Sequence, residues 1–158
     1  FDCLWLCAFR RSQKYDLLYG VHKKAFVARK CAVFSKILLI EDDPDIQTVA
    51  QMALEEIGGF TLVVCNSGAE AIEKARHFVP DIILLDVMMP EMDGPTTLVK
   101  LRGIEAMKDI PVVFITAKVM PSDVERYRAL GAVDIIAKPF ELMTLAERVQ
   151  EIWSASRG

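Results

Sequence analysis

The chain of 158 residues is 53% hydrophobic, so it can bury a core without disulfides or structural metals. Its net charge of -3 is unevenly spread, because residues 1–36 contain eight Lys or Arg and two Asp, whereas residues 37–158 contain eleven Lys or Arg and twenty Asp or Glu. The acidic part would repel a phosphate backbone, and we therefore expect no direct nucleic-acid binding by it.

Residues 1–34 are predicted to be a basic leader outside the folded domain, which we place at residues 35–155. The leader shows only a patchy helical spacing of apolar residues, at Leu17, Val21 and Ala25. We interpret it as a poorly ordered or non-native extension. The alternative is a basic amphipathic anchor for an acidic membrane or partner.

The cysteines and the apolar segments predict a cytoplasmic protein. Cys3, Cys7 and Cys31 lie in the basic part and Cys65 is alone in the acidic part, a spacing that indicates neither a zinc site nor a disulfide framework. The apolar residues 3–9 are too few to span a bilayer, and basic residues follow them instead of preceding them as in a secretory signal. We expect no membrane segment.

From residue 36 onward the sequence predicts alternating strands and helices. The first three strands are short apolar runs, at residues 37–40, 61–65 and 82–85. Asp43 followed by Pro44 predicts the start of the first helix, which ends at Gly58-Gly59. Ser67 and Glu70 form a capping-box pattern for the second helix, which runs to residue 78 or 79.

The third strand contains no polar residue before it stops at Asp86, which indicates burial on both faces, as in a parallel sheet covered by helices. The later elements are a helix from Pro95 through Leu101, a strand at residues 112–115 ending at Thr116, a helix capped by Ser122 and closed at Gly131, a strand at residues 134–137 ending at Lys138, and an amphipathic helix carrying Leu142, Leu145, Val149 and Ile152 to Trp153. Five strands alternating with five helices predict an α/β fold with a doubly wound parallel sheet.

Four strands end in residues able to do chemistry: Asp42 and Asp43, Asp86, Thr116, and Lys138. Because parallel strands point their carboxyl ends to one edge, these side chains are expected to converge in one cleft. Three crowded carboxylates repel one another unless a cation lies among them, and so few oxygen ligands favour Mg²⁺. Asp86 would be the nucleophile toward a phosphoryl group, with Lys138 and Thr116 on its oxygens.

Each of these residues also has a purely structural interpretation. Asp43 could be only a helix cap, Thr116 only a strand-favouring residue and Lys138 only a surface charge before Pro139. The coincidence of all of them at successive strand ends favours a functional site.

The chain from residue 36 to about residue 153 resembles a response-regulator receiver domain of two-component signalling. The motifs that carry this resemblance are Glu41-Asp42-Asp43, Asp86 followed by Met89-Pro90-Glu91-Met92-Asp93-Gly94, Thr116-Ala117, Gly131-Ala132 and Lys138-Pro139-Phe140. The resemblance implies a flavodoxin-like sheet in the strand order 2-1-3-4-5, with Asp86 as phospho-acceptor. It further implies that Asp42, Asp43, Asp86 and the backbone carbonyl of Met88 hold Mg²⁺, and that Thr116 and Lys138 contact the phosphoryl group.

The resemblance also implies partners. A sensor histidine kinase or a histidine phosphotransfer protein would donate the phosphoryl group, and an unknown downstream protein would be the target. The output face, and a possible homodimer interface, would be helix 4, strand 5 and helix 5, near Tyr127, Ile135 and Leu142. Such a domain catalyses its own phosphorylation and dephosphorylation, so we class it as a signalling switch and not as an enzyme.

Three residues depart from the family pattern. Ile135 stands where an aromatic residue is usual, three before Lys138, which calls into question the usual coupling of that aromatic to Thr116. Met88 offers no hydrogen bond to an attacking water, and Lys118 brings a cation to the mouth of the site. We expect Lys118 to change the lifetime of the phosphoryl group.

Three other classes of protein are alternatives to a phosphorylated receiver domain. A flavodoxin-type redox module needs a phosphate-cradling loop after the first strand, where Glu41-Asp42-Asp43 would repel a phosphate. A phosphatase with an aspartate nucleophile needs a second acid at the position of Met88. A non-phosphorylated pseudo-receiver, acting as a protein-interaction or dimerisation module, stays as the alternative.

Overall fold

The computed structural model describes residues 34–157, so the predicted basic leader lies outside the described residues except for Phe34. The described residues alternate strands and helices in the predicted order. The elements are β1 (Lys36–Ile40), α1 (Pro44–Gln51), β2 (Thr61–Cys65), α2 (Gly68–Lys74), β3 (Ile82–Asp86), α3 (Gly94–Arg102), β4 (Val112–Thr116), α4 (Pro121–Ala129), β5 (Asp134–Ala137) and α5 (Leu145–Ala155). A π-helical segment, Met52–Ile57, continues α1, and a 3₁₀ turn, Glu105–Met107, follows α3.

The five described strands form one parallel sheet in the order β2-β1-β3-β4-β5. This confirms the predicted doubly wound, flavodoxin-like fold. The register sets Asp86 beside Ile115 and Thr116 beside Ala137. The carboxyl ends of β3, β4 and β5 therefore lie level at one edge of the sheet, as the convergence of their last residues requires.

The central strand β3 and its neighbour β4 are buried along their whole length. Their side chains alternate between two apolar clusters, one on each face of the sheet, with Leu85 and Phe114 in one and Leu84 and Ile115 in the other. Full burial of such a side chain stabilises the fold by roughly 1.5–3 kcal/mol. The continuous apolar runs in the sequence follow from this double burial.

Two of the predicted helix caps are present. Asp43 caps α1, and its Oδ1 accepts hydrogen bonds from the backbone N–H groups of Asp45 and Ile46. Ser67 Oγ accepts from the N–H of Glu70 at the start of α2. The Glu70 carboxylate accepts from the N–H of Asn66, one residue earlier than a standard capping box would place the donor.

Three predicted helix boundaries are wrong. Helix α4 begins at Pro121 after Met120, which makes no side-chain cap, so Ser122 lies inside the first turn and not at the cap. Proline is favoured at the first helical position because it lacks the N–H that has no partner there. Helix α5 begins only at Leu145, after Leu142, and α2 ends at Lys74, short of residue 78.

Candidate active site

A cleft of about 760 Å³ opens at the carboxyl edge of the sheet. It is bounded by the segments that follow β1, β3, β4 and β5. Every residue that the sequence predicts for the site lines it: Asp42, Asp43, Asp86, Met88, Thr116 and Lys138. The topology therefore brings the whole predicted set to one place.

Three carboxylates form the centre of the cleft, and one of them was not predicted. Glu41, Asp42 and Asp86 each offer a carboxylate oxygen, and these oxygens lie within 4.8 Å of one another. Glu41 is completely buried and Asp86 is 4% exposed, whereas Asp42 is more accessible. The backbone N–H of Glu41 donates to the carbonyl of Cys65 at 3.0 Å, which extends the pairing of β1 with β2 and fixes this side chain at the edge.

Asp43 borders the cleft but does not belong to this three-carboxylate cluster. Its Oδ1 caps α1, 2.9 Å from the N–H of Asp45. Its own N–H donates to Glu41 Oε1 at 3.3 Å. The role of Asp43 in the structure is therefore to begin the helix and to orient the buried glutamate.

Lys138 follows β5 and reaches across the cleft to two of the carboxylates. Its Nζ lies 2.6 Å from Glu41 Oε2 and 3.1 Å from Asp86 Oδ1. Burial raises the pKa of both Glu41 and Asp86, and Lys138 opposes that shift in each case. Burial alone would lower the pKa of Lys138, but its contacts with Glu41 and Asp86 raise it.

Thr116 ends β4 and is 3% exposed. Its hydroxyl oxygen lies 3.2 Å from both the backbone nitrogen and the backbone oxygen of Lys118. The hydroxyl is therefore held at the start of the β4–α4 loop by the backbone of Lys118. The Lys118 side chain itself is exposed at the rim of the cleft.

The loop after β3 packs closely on the backbone of Asp86. A Cβ atom at Gly94 would lie 2.4 Å from the Asp86 carbonyl oxygen, and the Gly94 N–H donates to the carbonyl of Val87 at 3.0 Å. Only glycine fits this approach. The Met88 side chain extends outward and is 77% exposed.

The charges of the cleft suit a divalent cation. Three carboxylates and the single ammonium of Lys138 leave two formal negative charges. Among residues 34–157, Glu41 Oε2 is a buried carboxylate oxygen whose partner is the Lys138 ammonium at 2.6 Å. An oxygen-rich set with this charge fits Mg²⁺, with ligand positions left for water and for a phosphoryl oxygen.

The family of response regulator receiver domains matches residues 37–150. This chain belongs to that family. Receiver domains are signalling switches in two-component systems, they bind Mg²⁺ at an acidic site, and they interact with histidine kinases or phosphotransfer proteins.

Curated relatives agree with the assignment. The chain is 37% identical over 106 residues to the probable C4-dicarboxylate response regulator DctR of Halalkalibacterium halodurans, covering 66% of this chain and 45% of that protein. It is 32% identical over 116 residues to the polar-differentiation response regulator DivK of Brucella ovis, covering 73% of this chain and 94% of that protein. The chain thus spans about half the length of DctR and nearly all of DivK.

Solved receiver structures show the same fold. The chemotaxis protein CheY4 of Vibrio cholerae has a TM-score of 0.71 at 28% identity, covering 75% of this chain and 98% of that one. The receiver domain of the histidine kinase PA1611 of Pseudomonas aeruginosa has a TM-score of 0.66 at 30% identity, covering 77% of this chain and 96% of that one. The PA1611 domain has a magnesium ion coordinated in its active-site cleft.

Sequence reasoning missed two residues of this receiver cleft. Glu41 belongs to the acidic Glu41-Asp42-Asp43 motif but was not predicted as a metal ligand. Its position directly after Ile40 is the signal that it continues the strand into the site. Tyr127 was assigned only to the output face, and the structure places it also in the lining of the cleft.

No helix within residues 34–157 is long and apolar enough to cross a membrane.

Proposed function

We propose that this receiver domain accepts a phosphoryl group on the Asp86 carboxylate from a histidine kinase or a histidine phosphotransfer protein, and signals by the conformational change that follows. The observation that supports this most directly is the placement of Asp86. It is 4% exposed at the end of β3, with Lys138 Nζ 3.1 Å from its Oδ1 and two further carboxylates beside it. A bound cation would offset both the burial of this carboxylate and its repulsion by the neighbouring carboxylates.

The transfer we propose is a single displacement at phosphorus. An Asp86 oxygen forms the new O–P bond as the P–N bond to the donor imidazole breaks, and the imidazole nitrogen keeps the electron pair and takes up a proton. Lys138, whose Nζ lies 3.1 Å from Asp86 Oδ1, would contact the oxygens of the transferred group, and Thr116 would supply a hydroxyl at the neighbouring strand end. Hydrolysis of the acyl phosphate by water would reset the switch.

We propose Glu41, Asp42 and Asp86 as the residues that hold Mg²⁺. The bound ion would neutralise the negative charge that accumulates on the transferring oxygens. The backbone carbonyl of Met88 stays a predicted ligand. Asp43, although predicted as a ligand, would act through its hydrogen bond to Glu41 and its helix cap.

The test is the intact mass of the protein after incubation with Mg²⁺ and acetyl phosphate. We expect one added phosphoryl group, none after chelation with EDTA, and none in Asp86→Asn. Asp42→Asn is expected to lose the modification at the same Mg²⁺ concentration. Asp43→Asn is the matched control, because asparagine also caps helices and Asp43 lies outside the carboxylate cluster.

The alternative is a non-phosphorylated pseudo-receiver that serves as an interaction or dimerisation module. The feature that favours it is Ile135, an aliphatic residue on β5 where the family resemblance predicts an aromatic. A wild-type protein that gains no phosphoryl group under any of these conditions would favour this alternative.

The α4–β5–α5 face is our proposed surface for the downstream target or for a homodimer. Arg148 on α5 and Asp134 on β5 form a salt bridge of 2.7 Å, which links two of the elements of this face. We expect the sedimentation coefficient to increase on phosphorylation if the face dimerises. An unchanged coefficient would leave the face to a different protein partner.

A further inference from the structure

Tyr127 lies at the boundary between the core and the cleft. The residue is 6% exposed, yet it lines the same cleft as Asp86 and Thr116. Asp123, one helical turn earlier on α4, also lines the cleft. One face of α4 therefore forms a wall of the site, and Tyr127 is its buried part.

The ring of Tyr127 packs against the strand that carries Thr116. Its centroid is 4.9 Å from the centroid of Phe114, with the rings tilted by 49°. Phe114 precedes Thr116 by two residues on β4, and alternation along a strand places both side chains on one face of the sheet. The contact between Tyr127 and Phe114 thus joins α4 to the strand that ends in the cleft.

Residue 135 cannot make this connection with its own side chain. Ile135 pairs with Phe114 across β4 and β5, and it packs half-buried against the same core cluster. It has neither a ring to rotate nor a polar atom to reach the cleft. The aromatic group that borders both Phe114 and the cleft is located on the helix at Tyr127, and not on β5.

The Tyr127 hydroxyl is a hydrogen-bond donor that reaches solvent, since it is not one of the buried polar atoms without a partner within residues 34–157. None of the side-chain hydrogen bonds formed within residues 34–157 involves it, and its environment consists of apolar burial and the nearby charges of Asp123, Arg126 and Asp93. Burial, reinforced by Asp123, raises the pKa of Tyr127, so the phenol keeps its proton at neutral pH. A donor in this position can bind an oxygen that enters the cleft.

We propose that the Tyr127 hydroxyl couples phosphorylation of Asp86 to helix α4, by donating a hydrogen bond to an oxygen of the phosphorylated site. This inference rests on the proposed phosphorylation of Asp86. Tyr127 acts as a positioning residue, because it transmits the state of the cleft to α4 and takes no part in the transfer. A new bond at its hydroxyl would draw α4 toward the cleft and alter its first turns.

The test compares wild type, Tyr127→Phe and Ile135→Val after incubation with Mg²⁺ and acetyl phosphate. Intact mass reports phosphorylation, and hydrogen–deuterium exchange of a peptide covering residues 121–129 reports α4. Phenylalanine keeps the ring packing on Phe114 and removes only the hydroxyl, so this variant is expected to fold. Valine at position 135 trims the same core cluster without changing a polar group, and it is the matched control.

We expect all three proteins to gain one phosphoryl group. The change in α4 exchange on phosphorylation should fall at least twofold in Tyr127→Phe and stay as in wild type in Ile135→Val. An unchanged α4 response in Tyr127→Phe would overturn the inference while leaving the proposed function intact. Loss of phosphorylation in Tyr127→Phe alone would also overturn it, since the hydroxyl would then act in the transfer. No phosphorylation of wild type would overturn both proposals.

Discussion

At the amino edge of the sheet, the ionic side chains of Asp81 and Arg102 form hydrogen bonds with backbone groups. At the carboxyl edge, by contrast, three carboxylates lie together and Lys138 pairs with two of them. Asp81 Oδ2 accepts from the N–H of Ser35 at 3.0 Å and of Lys36 at 2.9 Å. Arg102 donates to the carbonyls of Met107, Lys108 and Ile110 over 2.6 to 2.8 Å. At the amino edge, charged side chains thus form hydrogen bonds with the backbone groups of loops that enter and leave the strands.

The carboxyl edge has the opposite balance. Burial raises the pKa of Glu41 and of Asp86, and the coulombic effect of neighbouring carboxylates adds to both shifts. Lys138 opposes the rise in pKa in both groups, and the backbone N–H of Asp43 also opposes it in Glu41. Charged side chains at the amino edge therefore stabilise the fold. At the carboxyl edge, buried carboxylates destabilise it, and their charge stays available for a ligand.

The largest effect on stability is expected at the amino edge. Arg102→Ala should lower the free energy of unfolding by about 2–4 kcal/mol, because two partly buried carbonyls and one exposed carbonyl lose a charged donor. Urea denaturation measures this directly. Lys100→Ala, on the exposed side of the same helix, is the control and should change the free energy by less than about 0.5 kcal/mol. A similar loss in both variants would contradict the contrast between the edges.

The second prediction tests how closely the fold holds Asp86, the proposed phospho-acceptor. Gly94→Ala places a Cβ 2.4 Å from the carbonyl oxygen of Asp86, so the β3–α3 loop must move. We expect a loss of about 1–3 kcal/mol in the free energy of unfolding and a lower yield of phosphorylated protein in the mass assay.

Gly103→Ala is its matched control. A Cβ at Gly103 would lie 3.2 Å from the carbonyl oxygen of Lys100, and its backbone has a negative φ, so alanine needs only a small adjustment there. Phosphorylation of Gly94→Ala at the wild-type yield would show that the loop adapts without moving Asp86.

The third prediction has the opposite sign, because it removes charge from the carboxyl edge. In Mg²⁺-free buffer, Glu41→Gln should raise the free energy of unfolding by about 1 kcal/mol, since Lys138 keeps its contact with Asp86 while the most buried carboxylate becomes neutral. The stabilisation that Mg²⁺ confers on wild type should be lost in the same variant.

Urea denaturation with Mg²⁺ and with EDTA measures both parts. Asp43→Asn should keep the Mg²⁺-dependent stabilisation, because its carboxylate lies outside the cluster. A fall in stability for Glu41→Gln without Mg²⁺ would mean that the ion pair with Lys138 outweighs the burial of the carboxylate.

The fold and most of the site were predictable because each signal lay within one short segment. An apolar run followed directly by Asp86, Thr116 or Lys138 shows a buried strand and what stands at its end. The parallel topology then decides which ends meet. This reasoning needs no knowledge of side-chain direction, and it placed every predicted site residue in the cleft.

The residues that the sequence prediction missed or placed wrongly depend on side-chain directions and helix packing, which a sequence pattern does not contain. In Glu41-Asp42-Asp43 the chain turns from strand to helix, so adjacent carboxylates separate, the first two toward the cluster and the third to the helix cap. Tyr127 was predicted only to lie near the output face, and its contact with Phe114 depends on how α4 lies against the sheet. The prediction of Ser122 as the cap of α4 is wrong because the helix already begins at Pro121.

The smallest effect is expected at the rim of the cleft. Lys118→Ala removes an exposed ammonium but keeps the backbone groups that contact the Thr116 hydroxyl. We expect the phosphorylated protein to lose its phosphoryl group roughly two- to fivefold faster, because the ammonium at the mouth is attracted to the phosphoryl oxygens and obstructs the approach of water. The decay of the phosphorylated mass after removal of acetyl phosphate, at fixed Mg²⁺, gives the rate. Lys108→Ala, an exposed lysine of the amino edge, should decay as wild type does, and an unchanged rate in Lys118→Ala would rule out a role for this cation.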